Sequence, residues 1–106
     1  MTGRGGAWAC VAYRFSRKAA EDLEDLYLHG AMAFGVAQAD LYFAGLVEAL
    51  EFLARLPMAA RVRPELGPAT RGHPYKSQMI FYRPDGADIF IQRIRHGSED
   101  WRNLEA

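Results

Sequence analysis

The chain has 106 residues, with Lys plus Arg and Asp plus Glu balanced at 13 each, a size suited to one domain and one core without disulfide staples. Half the residues are hydrophobic and a quarter charged, a globular balance that excludes intrinsic disorder. The longest apolar runs span only a few residues, so neither a membrane span nor a secretory signal is expected, and the protein is assigned to the cytoplasm.

The opening residues 1–7 are Gly-rich and read as a flexible leader. In "ACVAYRFS", Val11, Tyr13 and Phe15 alternate with Ala12 and Arg14, the period of a half-buried strand. Ser16 is placed to cap a following helix. From Arg17 to Phe34, the residues Ala20, Leu23, Leu26, Tyr27, Gly30 and Phe34 recur at three and four, and Glu21, Asp22, Glu24 and Asp25 fill the other face. Gly35 suits the end of that helix. A second helix, with Ala39, Phe43, Leu46, Leu50 and Leu53 on its apolar stripe, runs up to Pro57, and so short a turn makes the two an antiparallel hairpin.

The segment 58–72 is rich in Pro, Gly and Arg and reads as a loop entering a strand at Thr70 to Tyr75. A tight turn at Lys76-Ser77 leads into "QMIFYR", and a Pro-Asp-Gly turn leads into "ADIFIQRIR". Strict alternation in that last strand would put Ile89, Ile91, Arg93 and Arg95 on one face and Phe90, Gln92, Ile94 and His96 on the other. Ser98 is placed to cap a final helical turn carrying Trp101 and Leu104. The whole is one α+β domain over 1–106: a strand, an antiparallel helical hairpin, then a three-stranded antiparallel sheet.

The charge is polarised along the chain. Residues 1–54 carry four Lys or Arg against seven Asp or Glu, and residues 55–106 carry nine against six. An excess this small is far below that of a dedicated nucleic-acid binder, so no direct specific nucleic-acid contact is expected. Cys10, the single cysteine, reads as a small core residue in a reducing compartment. His29, His73 and His96 lack metal-ligand spacing, and the early glycines precede a strand, not a helix, so neither a metal nor a nucleotide site is indicated. Metal-free RNA cleavage is the enzymatic option that survives. It needs a base, an acid and cations around the phosphorane, for which Arg83, Arg93, Arg95 and His96 are the candidates. A hairpin would hold Arg83 and Arg95 at opposite ends.

Five pieces in order, "YRFS" at 13–16 with "EDLEDLY" at 21–27, "FGVAQADLYFAGL" at 34–46, "RPEL" at 63–66, "PYKSQMIFYR" at 74–83 and "IRHG" at 94–97, closely resemble the ParE toxins of type II toxin–antitoxin modules, within the RelE/ParE superfamily. The resemblance covers about residues 11–104 and implies a toxin that inhibits DNA gyrase and is silenced by a ParD-like antitoxin. RelE-like members cut mRNA on the ribosome with an Arg in the middle strand and basic residues after the last one. The matching positions here are Met79, Ser98 and Glu99, so the resemblance implies the gyrase branch, with no catalytic residue, metal or cofactor. It further implies that the antitoxin's C-terminal segment covers apolar residues as helix and strand, with Tyr27, Tyr42, Phe43 and Tyr82 as contacts. For gyrase, Arg93, Arg95, His96, Trp101 and Arg102 are the candidates, an Arg-flanked Trp being a common interface anchor. A RelE-like endoribonuclease is the alternative, and a degenerate toxin that keeps only antitoxin binding is a third reading.

Overall fold

The computed structural model describes residues 13–97. The expectations for the leader, Cys10, Val11, Trp101, Arg102 and the final helical turn lie outside those residues. In chain order come β1 (Tyr13–Phe15), α1 (Arg17–Phe34), α2 (Val36–Arg55), β2 (Arg61–Val62), a single 3₁₀ turn (Pro64–Leu66), β3 (Arg71–Tyr75), β4 (Gln78–Asp85) and β5 (Asp88–His96).

Ser16 joins the first two elements as expected. Its hydroxyl oxygen accepts the Ala19 N–H at 2.9 Å, capping α1, while the hydroxyl donates to Gln92 O at 2.8 Å. Between α1 and α2 stands only Gly35, whose φ of +94° is easy for glycine and costly for a residue with a Cβ. The apolar stripe of α2 is buried as predicted, with Leu46, Leu50 and Leu53 packed against Ile80, Tyr82, Ile89, Ile91 and Ile94 of the sheet. Each such fully buried side chain contributes about 1.5–3 kcal/mol.

The sheet departs from expectation. Instead of three antiparallel strands it has five, in the order β1-β5-β4-β3-β2. β1 lies parallel to β5, Tyr13 opposite Ile89 and Phe15 opposite Ile91, and the short β2 pairs antiparallel with β3 through Arg61–Gly72 and Val62–Arg71. Local periodicity cannot announce a pairing across so much chain, and two residues are too few to show a period. The β4–β5 turn is also shorter than expected: Asp85 pairs with Asp88, leaving only Gly86 and Ala87 between the strands.

A bulge corrects the face assignment in β5. Phe81 faces Arg93 but Tyr82 faces Ile91, so Gln92 is the extra residue. The alternation shifts by one there, and Ile89, Ile91 and Ile94 all enter the same core. On the opposite edge, Arg63 N–H donates to Thr70 O, so Thr70 and Gly72 turn their backbone towards β2. Two residues on, Pro74 has the same orientation and, lacking an N–H, offers no donor to a further strand.

Candidate partner-binding surfaces

The expected gyrase residues Arg93 and Arg95 are engaged inside the molecule. Past Phe15, β1 has ended and β5 would present a bare edge from Gln92 onward. Asp22 on α1 closes it, accepting the Ile94 N–H at 3.0 Å on Oδ2. The same carboxylate receives Arg93 Nε at 2.9 Å, Arg93 Nη2 at 3.2 Å and Arg95 Nη1 at 3.0 Å. Burial pushes the Asp22 carboxyl up, but these charged and backbone donors outweigh it and hold it below its ordinary value. Asp22 is therefore no part of the acidic outer face; with 7% exposure it belongs to the stripe of Ala19, Leu23 and Leu26. The stripe uses Ala19, fully buried, where the sequence pattern suggested Ala20.

Of the other expected contacts, His96 is exposed at the end of β5, opposite Gln78. Arg83 pairs with Phe90 at the turn end of the β4–β5 hairpin, stacking its guanidinium 4.9 Å from the ring centroid, while Arg95 pairs with Met79 at the far end. The hairpin holds the two arginines apart, as predicted. Met79, the position that the resemblance matches to the RNases' middle-strand arginine, is itself buried.

Two of the four expected antitoxin contacts, Tyr42 and Phe43, line one groove, and a third, Tyr27, packs against Phe43. The groove has a volume of about 590 Å³ and is walled by Leu26, Gly30 and Phe34 of α1, Tyr42 and Phe43 of α2, and Gln78 at the start of β4. Phe34 is 74% exposed beside it. Tyr27 stands edge-on to Phe43, with ring centroids 5.3 Å apart, and donates its hydroxyl to Asp40 Oδ1 at 2.9 Å. Tyr42 packs edge-on against Tyr75, whose hydroxyl crosses α2 to donate to Tyr42 O at 2.9 Å. That crossing needs Gly45, because a Cβ there would fall on the Tyr75 hydroxyl. The Tyr42 hydroxyl is enclosed without a hydrogen-bond partner among the described residues, and burial first, then the neighbouring Tyr75, push its pKa up to about 12. Tyr82 is different. It is fully buried, with its hydroxyl donating to Pro57 O at 2.7 Å, so it is core and presents no surface.

Among the described residues no helix is long and apolar enough to cross a membrane, and no group of three or more His, Cys, Asp or Glu could hold a metal ion. Together these elements define a small α+β domain, a helical hairpin packed on a five-stranded sheet with an apolar groove at the hairpin. Residues 13–101 match the profile of the family described as ParE toxin of type II toxin-antitoxin system, parDE. The chain is similar to Toxin ParE1 of Caulobacter vibrioides, at 32% identity over 90 residues covering 85% of this chain and 93% of that protein. It is also similar to a solved chain from the "Chromosomal ParDE TA system from P. aeruginosa", with a TM-score of 0.69 and 26% identity over 82% of this chain and 96% of the other. The chain belongs to the ParE toxins of type II toxin–antitoxin systems.

Proposed function

We propose that this toxin arrests its target by binding and not by chemistry, that the target is DNA gyrase, and that a ParD-like antitoxin silences it. The observation that carries the antitoxin part is the groove at the helical hairpin, an apolar channel bounded by Phe34, Tyr42 and Phe43 and open in the free chain. Its shape and lining suit one apolar face of an amphipathic helix, read through side chains at three- and four-residue spacing. The groove's Gln78 wall pairs with His96, so an antitoxin seated there would also lie against the exposed end of β5. His96, with the tail residues Trp101 and Arg102, is accordingly assigned to gyrase and to steric masking by the antitoxin. Arg93 and Arg95 are assigned to the fold through Asp22.

The gyrase branch is favoured over RNA cleavage by the arrangement of the cations. Arg83 and Arg95 sit at opposite ends of one hairpin, and the position that the resemblance matches to the RNases' middle-strand arginine is an apolar, buried Met79. The test is supercoiling by purified gyrase with the protein added, beside an in vitro translation reaction probed for mRNA cleavage. Lost supercoiling with intact mRNA is the expected result. Cut mRNA with normal supercoiling would refute the reading.

A further inference from the structure

We infer a second docking surface, outside the groove, for an acidic protein segment that carries apolar side chains. It lies at the corner where α2 ends and β2 begins. Residues 52–63, "FLARLPMAARVR", hold three arginines and no acid. Four large apolar side chains of this short segment face solvent: Met58 at 65%, Leu56 at 54%, and Phe52 and Val62 at 37% each. Such a concentration of exposed apolar groups differs from the singly scattered ones normal on any surface.

The corner is built rigidly. The Tyr82 hydroxyl donates to Pro57 O at 2.7 Å, and Arg71 donates through Nη1 to Ala60 O at 2.7 Å and through Nη2 to Met58 Sδ at 2.9 Å. These bonds tie the Pro57–Ala60 turn to the sheet and add a fourth guanidinium to the corner. Phe52 rests on His73, ring centroids 5.9 Å apart, and burial lowers the His73 pKa, so that ring adds no charge near neutrality. Arg55 and Arg61 are exposed, and neither forms an ion pair among the described residues.

The chemistry selects the occupant. Arg, Met and Phe without Lys is the composition of a protein interface, and the exposed apolar anchors have no use against a phosphodiester backbone. Charge complementarity calls for carboxylates, which Arg55 and Arg61 are free to pair. A second copy offering the same corner would set arginine against arginine with no acid on either side, so a two-fold contact through it is disfavoured. Given the reading above, the occupant is a segment of the toxin's target, reached while the antitoxin groove remains a separate site.

The test compares the full chain with its Arg55→Glu/Arg61→Glu variant, both residues being exposed, with equal melting temperatures as the control for folding. Fluorescence anisotropy is read with a labelled peptide of Glu alternating with Leu and Phe, the same peptide with Lys in place of Glu, and a short DNA duplex. The acidic peptide should bind the wild type and lose about tenfold or more on the variant, with the other two probes binding poorly to both. Acidic-peptide binding that the variant leaves unchanged would overturn the inference, and so would duplex binding that falls by the same factor. Concentration-dependent self-association in sedimentation, lost in the variant, would assign the corner to a second copy and overturn it too. In the supercoiling assay the variant should lose inhibition, while Phe34→Asp in the groove keeps it. A variant as inhibitory as the wild type overturns the inference, whereas a wild type that leaves gyrase untouched removes the gyrase reading and leaves the peptide titration to decide the corner.

Discussion

Replacing Asp22 by Asn probes the junction between helix and sheet with almost no change of volume. The wild-type carboxylate accepts four hydrogen bonds, three from Arg93 and Arg95 and one from the Ile94 N–H. An amide is neutral, keeps one acceptor oxygen and turns its NH₂ towards donors, so Arg93 and Arg95 both lose this counter-charge. Asp22 is 7% exposed and the Arg93 side chain 16%, a setting in which removing one partner of an ion pair costs about 3 kcal/mol. At roughly 4–5 °C per kcal/mol for a domain of this size, the melting temperature should fall by about 13 °C. The assay is urea unfolding followed by circular dichroism at neutral pH and again in acid. The Asp22 pKa is lowered in the fold from 3.8, so its stabilisation is full above that value and is lost as pH falls through the lower, folded value. The gap between wild type and variant should therefore narrow only in strong acid. A neutral-pH loss below about 1 kcal/mol would refute the reasoning, since that is the worth of a solvated surface pair.

Tyr42→Phe should leave stability unchanged or raise it slightly, because it deletes an enclosed hydroxyl that has no partner among the described residues; denaturant midpoints decide this. In the wild type, ultraviolet titration should find one phenol ionising near pH 12, and the raised value means that stability declines as pH climbs past 10, where an unfolded tyrosine ionises first. Gly45→Ala should destabilise by about 1 kcal/mol despite its better helix propensity, by driving the Tyr75 hydroxyl off Tyr42 O, and it should weaken antitoxin binding measured by calorimetry. Ser16→Ala removes both the cap on α1 and the bond to Gln92 O and should cost about 1–2 kcal/mol in thermal unfolding.

What could be read from the sequence was what local pattern controls. The span of α1, the Gly35 break, the buried stripe of α2 and the tight turn at Lys76-Ser77 each rest on a few neighbouring residues. The five-stranded order did not show because the β1–β5 and β2–β3 pairings depend on partners the local pattern does not contain. Gln92 hid the true inner face of β5, since a bulge breaks the very alternation used to find faces. Asp22 looked like one more acid on a solvated face. Its spacing of three from Ala19 and four from Leu26 was the available signal, overridden by the ordinary rule that carboxylates face water. At and beside the groove, Tyr42, Phe43 and the adjoining Tyr27 were legible as aromatics on the helices, whereas the same composition rule could not distinguish Tyr82, whose hydroxyl finds its acceptor at Pro57 in the interior.

The parallel seam between β1 and β5 has a consequence for synthesis. The strand that opens the described fold is completed by the strand that closes it, and Asp22 waits for Arg93, Ile94 and Arg95, the pairs lying 71 to 73 residues apart in the chain. On a ribosome the helical hairpin can collapse early, but it has no finished sheet to rest on until β5 has left the exit tunnel. Contacts of such sequence separation form late and slowly. The nascent toxin thus stays unassembled until β5 has been made and released, with the hairpin available to a waiting partner before the seam closes.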